Sequence, residues 1–203
     1  MVCSTLSYEK AAVAVLMTGV MMSTGCSTKS DNAGFNREAY VAALEATASV
    51  EPMVPDSETE RRALDLFRDF YTEYSAEAIR DGVRNLYAED AWFGDPFHTV
   101  KGIDAVEHYF LKMAEPVEHC TFTVEDIQRN GIDYYARWTM YLVSKAAKEP
   151  IEAIGISHVR FNTEGKIVFQ QDYWDTSTMF DRLPVVGFWT RLVKGRIAKG
   201  LEE

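Results

Sequence analysis

"IEAIGISHVRFNTEGKIVFQQDYW", residues 151–174, holds two runs rich in aromatic and β-branched residues, parted by Asn162-Thr163-Glu164-Gly165. Runs of this length and composition around a short Asn- and Gly-containing segment predict a β-hairpin. Upstream, "CTFTVEDI" (120–127) and "IDYYARWTMYLV" (132–143) repeat the pattern. Arg129-Asn130-Gly131 and the stretch from Ala146 to Pro150 supply the intervening turns. Four such strands in succession predict a meander.

Before residue 118 the period is helical. Ser57-Glu58-Thr59-Glu60 fits a capping box, in which the serine oxygen accepts a free backbone N–H and the glutamate reaches back. Behind it, Leu64, Phe67, Tyr71 and Tyr74 share one helical face. A second helix is expected over 76–86, a brief strand at Trp92-Phe93, and a third helix over 103–113. Helices followed by a run of strands predict an α+β fold, with helices packed on a curved, mainly antiparallel sheet. Strong curvature would leave a cavity open at one end.

The apolar fraction of 47% and aromatic fraction of 12% support a packed core. A formal charge of −10 argues against a nucleic-acid partner, because phosphate contacts need a basic face. Cys3, Cys26 and Cys120 form no disulfide framework or zinc spacing, the four histidines are dispersed, and no cofactor is implied.

The segment "KAAVAVLMTGVMMSTGC" (10–26) is too short and too quickly ended to span a bilayer. It resembles a bacterial lipoprotein signal, with Gly25-Cys26 as the cleavage and lipidation point. Ser23 and Glu9 depart from that pattern. The resemblance implies a lipid-anchored protein of the cell envelope, facing the periplasm. Ordinary cleavage nearby, or a start codon placed too early and hence a cytoplasmic protein, are the alternatives. The expected organisation is a signal over 1–26, a linker with a short helix over 27–56, the folded domain over 57–178, and a basic helix over 179–203. From Arg182 onward there are five basic and two acidic residues. Trp189, Leu192, Val193 and Ile197 form a helical stripe there, suited to an anionic membrane surface, to the protein's own domain or to a partner subunit.

"FRDFYTEY", "NLYAEDAWFGDPFHTVKGIDAVEHYF" and "GISHVRFNTEGKIVFQQDYWD" resemble the SnoaL-like branch of the nuclear transport factor 2-like superfamily. The resemblance covers roughly Glu58 to Asp175 and implies a cone-shaped α+β roll with an apolar pocket for a hydrophobic small molecule. Members include isomerases, cyclases, epoxide hydrolases and non-catalytic binding modules, so fold alone does not choose an activity. A homodimer is implied by analogy with relatives.

Compared with ketosteroid isomerase, Asp95 falls on the general base and Tyr71 on the oxyanion-hole tyrosine, while Ser157 replaces the third, acidic member. The same comparison turns Gln170, Asp172 and Trp174 toward the pocket, although Ile167, Phe169 and Tyr173 form the more apolar face of that strand. Trp92 and Trp174 would then wall a cavity that receives both Asp95 and Asp172. Two carboxyls there cannot both ionise cheaply, so one pKa should rise. Plainer roles stand beside these. Asp95 would cap its Pro96 turn, Asp172 would pair with Arg137, and Tyr71 would serve the core. His98, expected among the ligand contacts and placed after the turn where it could shuttle a proton, would in the plainer role be a solvated or structural loop histidine, and Cys120 a core residue.

Overall fold

The computed structural model describes residues 36–147, 149–183 and 186–201. The apolar N-terminal run and Cys26 lie outside the described residues. Helix α1 (Arg37–Ala46) is capped by Asn36, whose side chain accepts from the Ala39 N–H at 3.0 Å. Helix α2 (Glu58–Thr72) is capped by Ser57, which accepts from the Glu60 N–H at 3.1 Å. Glu60 does not reach back to Ser57, as the box would have it. Its Oε2 accepts from the Asp56 N–H at 2.6 Å, and Oε1 accepts from Arg129 at 2.7 Å and the Tyr134 hydroxyl at 2.6 Å. Burial raises the pKa of this carboxyl, but those donors more than offset it and leave it below the ordinary value.

Helix α3 (Ala76–Leu86) turns directly into β1 (Tyr87–Gly94). The strand is longer than the expected Trp92-Phe93, because Glu89-Asp90 interrupts its apolar pattern. Strand β2 (Thr99–Lys101), which has three residues and hence no readable period, precedes α4 (Ile103–Ala114). The meander follows as β3 (Val117–Asn130), β4 (Asp133–Ser144), β5 (Ile151–Phe161) and β6 (Ile167–Trp174). A short turn of helix, α5 (Ser177–Phe180), leads to α6 (Val186–Leu201).

The six strands form one sheet in the order β2-β1-β6-β5-β4-β3. All neighbours are antiparallel except β1 and β6, so the sheet is mixed, open and curved. Helices α2, α3 and α4 cover its inner face, where Phe67, Val83, Leu86, Phe110 and Val159 are buried together. Strand alternation sends Tyr134, Ala136, Trp138 and Met140 inward and leaves Tyr135 and Tyr141 exposed. Trp138 pairs with Gly155, and a Cβ at that glycine would lie 2.2 Å from the indole, so no larger residue fits opposite the ring.

The outer face is divided. Near β1 and β6, α1 covers it, and Ala43 packs with Trp92 and Phe169. Elsewhere Ile154 and Ile156 stay exposed. Helix α6 also keeps its stripe of Trp189, Leu192, Val193 and Ile197 exposed. Lys194 ties it to Asp181 at 2.6 Å.

Glu60 is the site where α1–α2 chain, β3 and β4 are stitched together, so Glu60→Ala should leave Arg129 and Tyr134 without their acceptor. The expected loss is about 3–5 kcal/mol by chemical denaturation. A loss under about 1 kcal/mol would show that solvent replaces the carboxylate.

Candidate ligand-binding site

The pocket lies between α2, α4 and the inner face of the sheet. Its interior measures about 110 Å³, and about 710 Å³ with the space at its opening. Tyr74, Phe122, Trp138 and Trp174 are among the rings that wall it, and Asp95 and Asp172 are its charged side chains. A narrow extension runs past Tyr71, Ser157 and Asp172 toward Phe67.

Asp95 stands where β1 ends and the chain turns through Pro96. Its backbone N–H donates to the His98 carbonyl at 3.0 Å. Its Oδ1 accepts from the Phe97 and His98 backbone N–H groups at 2.8 and 2.9 Å, so the turn-capping reading is correct. Its Oδ2 accepts from the Tyr109 hydroxyl at 2.7 Å. The same group therefore caps a turn and borders the pocket. Burial still holds its pKa above the ordinary value, against the pull of those three donors and of His98.

Asp172 is reached from β6. The Ser157 hydroxyl donates to its Oδ1 at 2.6 Å, and Gln170 Nε2 donates to the same oxygen at 2.9 Å. Trp138 Nε1 donates to Ser157 at 2.9 Å. Among the described residues Oδ2 has no hydrogen bond, which leaves it as the oxygen available to a ligand. Burial among apolar walls pushes the Asp172 pKa up to about 7; Ser157 and Gln170 pull it down, and Asp95 adds to the rise. The alternative pairing with Arg137 is not made. Arg137 lies on the outer face, with Glu125 and Asp126.

Tyr71 lines the pocket, but its proton is already used. Gln170 Oε1 can only accept, so the Tyr87 hydroxyl donates to it at 2.8 Å. Tyr71 must then donate to Tyr87 across 2.8 Å while accepting from Gln170 Nε2 at 3.0 Å. Burial drives the Tyr71 pKa far above its ordinary value. The expected donation into the pocket is therefore corrected: Tyr71 orders the wall.

Three other expected ligand contacts also change. Trp92 stacks on Phe169 at 4.9 Å on the outer face and does not wall the pocket. Phe93 lines the pocket instead, and neighbours on a strand point to opposite faces. The His98 ring stacks on Tyr109 at 5.5 Å and is not among the pocket-lining residues. Gln170 is fully buried behind Tyr71 and Asp172, so it positions Asp172 without lining the pocket. Ser157 lies at the narrow extension and Trp174 at the main chamber, both on the expected side.

Sequence reasoning passed over Tyr109, Tyr87 and Trp138. Tyr109 sits beside the apolar stripe of α4 and carries no local sign of its partner fourteen residues away. Trp138 was legible through parity, since Ala136, Trp138 and Met140 alternate with polar positions. Cys120 lines the pocket as a buried thiol, its pKa pushed up to about 12 by burial. Among the described residues no group of three His, Cys, Asp or Glu could hold a metal ion.

A curved sheet closed by helices around an apolar pocket defines an α+β roll of the nuclear transport factor 2-like, ketosteroid isomerase-fold class. A SnoaL-like domain is matched over residues 67–170, just over half the chain. The chain belongs to the SnoaL-like family. It is similar to a protein of ketosteroid isomerase-like fold from Catenulispora acidiphila, in complex with trimethylamine, at 17% identity and a TM-score of 0.53. That match covers 64% of this chain and 94% of the other. A protein assigned as a SnoaL-like polyketide cyclase from a Jannaschia species is 10% identical, with a TM-score of 0.56 over 65% and 98% of the chains. An LEH-like epoxide hydrolase from M. tuberculosis is 17% identical, with a TM-score of 0.51 over 73% and 100%. At such identities these likenesses concern the fold. Among curated proteins none matches by sequence.

The Asp172 carboxyl sets a pH test. Its pKa rises from 3.8 to about 7 on folding, so the folded state keeps the proton over that interval and this group's contribution to stability falls as pH rises from 4 to 7. Asp172→Asn removes that slope. Relative to wild type, the variant should gain on the order of 1–3 kcal/mol between pH 5 and pH 8 in denaturant titrations. An equal difference at both pH values would mean that Asp172 ionises as an ordinary carboxylate.

Proposed function

We propose that this protein binds a hydrophobic small molecule in the pocket, with Asp172 Oδ2 meeting its polar group. One observation carries the reading. Asp172 is fixed through Oδ1 by Ser157 and Gln170, while its other oxygen is left unpartnered among aromatic walls. Pockets that recognise small molecules combine a mainly apolar lining with a few placed polar groups. Compounds of about ten heavy atoms, bearing one hydrogen-bonding group, should quench Trp138 and Trp174 fluorescence with micromolar to millimolar affinity. Absence of any response across such a panel, together with a bare mass for protein taken from its own cells, would remove the reading.

A second reading, an acid/base enzyme of isomerase, cyclase or epoxide hydrolase type, is favoured by the Asp172 pKa of about 7 beside a second carboxyl at Asp95. A group poised near neutrality both gives and takes a proton efficiently. With the Tyr71 proton committed to Tyr87, this reading rests on the two aspartates and has no tyrosine to polarise a carbonyl. For a ligand that is turned over, Asp172→Asn should lower kcat by about 100-fold or more, leave KM within about threefold, and abolish a pH–rate inflection near 7. Unchanged kcat would leave binding alone.

The surfaces outside the pocket suit two further partners. The uncovered outer face of the sheet, around Ile154 and Ile156, fits a second copy of this chain. The apolar stripe of α6 is flanked by Arg191, Lys194, Arg196 and Lys199, a pattern suited to an anionic bilayer surface alongside a lipid anchor at Cys26. Flotation with vesicles containing anionic lipid should carry the unlipidated chain up, and deletion of 186–201 should abolish it. Sedimentation that depends on chain concentration but not on vesicles would assign the stripe to self-association instead.

A further inference from the structure

Carboxylates elsewhere in the fold are matched with cations wherever they are withdrawn from solvent. Glu60, 7% exposed, meets Arg129 at 2.7 Å. Asp133 meets Arg160 at 2.6 Å and His158 at 2.7 Å. The pocket breaks that rule. Asp95 and Asp172 border it, and among the described residues no Lys, Arg or His lines it. Neither aspartate makes an ion pair with a lysine or arginine among the described residues. Asp95 has three hydrogen-bond donors and the nearby His98 to support its charge. Asp172 has two donors, both on one oxygen, and no cation.

A withdrawn carboxyl without a counter-charge keeps its proton, and a cation brought to it by a ligand is the alternative that lets it ionise. The walls around Asp172 include the rings of Tyr74, Phe122, Trp138 and Trp174. Aromatic rings attract a cation through their negative faces, and they accept the alkyl groups around an ammonium nitrogen as readily as a hydrocarbon. A neutral ketone or epoxide would gain from the rings and take a hydrogen bond from the protonated acid but would give the carboxylate no counter-charge, and an anionic ligand would be repelled by both aspartates.

We propose that the ligand of this pocket is a hydrophobic amine or quaternary ammonium, its charged nitrogen held at Asp172 and its carbon shell packed on the aromatic walls. This rests on the ligand-binding reading above and names the charge that reading leaves open. Binding is then coupled to the ionisation of Asp172, since a cation favours the carboxylate. The titratable groups that line the pocket with Asp172 or act on it are Tyr71 on α2, Tyr74 just beyond that helix, Tyr87 on β1, Asp95 just past that strand, Tyr109 on α4 and Cys120 on β3, with His98 beside Asp95. The four tyrosines and the thiol are pushed upward by burial and stay neutral between pH 6 and 8. Asp172, its carboxyl pushed up to about 7, carries the pH effect expected in that interval, and a substitution at Asp172 separates it from the other groups.

The experiment compares benzyltrimethylammonium with its neutral carbon counterpart, 2,2-dimethylpropylbenzene, by tryptophan fluorescence and calorimetry on the full chain. The ammonium should bind at least tenfold tighter at pH 8. Its affinity should fall about tenfold from pH 8 to pH 6, while that of the neutral compound stays level. Asp172→Asn, checked for folding by circular dichroism, should reduce the preference to under threefold. The wild-type pH dependence gives the same answer without a variant. Equal or tighter binding of the neutral compound would overturn the cation and leave the hydrophobic-ligand reading standing. Binding of neither compound, while uncharged members of the earlier panel do bind, would overturn it as well. Loss of every response in both experiments would remove the binding reading itself.

Discussion

A chain of buried hydrogen bonds holds the inner face of the sheet to its helices. It runs from Trp138 on β4 to Ser157 on β5, to Asp172 and Gln170 on β6, and to Tyr71 on α2 and Tyr87 on β1. Every member but Asp172 has its protons directed by a neighbour, because amide and carboxylate oxygens can only accept. In a medium of low polarity such a network is rigid, and leaving one member unmatched is costly. The curvature of the sheet, the seating of α2 and the orientation of Asp172 are therefore parts of one arrangement.

That arrangement explains why this pocket differs from the one its relatives suggest. An acid in place of Ser157 would stand as a donor of its own. The serine hydroxyl instead spends its proton on Asp172, and Gln170 does the same from the other side. Tyr71 lines the pocket but has its proton committed to Tyr87, so it offers a ligand no donor. The Asp172 carboxyl is left with one oxygen unpartnered among the described residues and with its pKa pushed up by burial, Asp95 adding to that rise.

The outer face follows a different logic. Asp133 accepts from both His158 and Arg160, and Arg160 extends to the Leu44 carbonyl and Thr47 hydroxyl at the C-terminal end of α1. This clasp seats α1 over Trp92 and Phe169. It answers why β6 carries its more apolar residues away from the pocket: that side is a second small core, covered by a helix that precedes β6 by more than a hundred residues. The short helix anticipated in a linker is packed here against the domain.

Local pattern determined the class of fold. Helical spacing around Phe67 and Tyr71, β-branched and aromatic runs from Cys120 to Trp174, and turn residues at Gly131 and Gly165 are short-range signals, and the structure follows them closely. Parity along a strand also put Asp172 and Trp174 on one face, and by the same rule it set Trp92 opposite Phe93. What only the tertiary structure decided was partnership: which face of β6 turns inward, where the Tyr71 proton goes, and that Tyr109 meets Asp95 while Arg137 never meets Asp172. These depend on contacts between residues far apart in the chain. A hydrogen bond has direction and a carboxyl pKa depends on what surrounds it, and neither property belongs to a residue until its neighbours are in place.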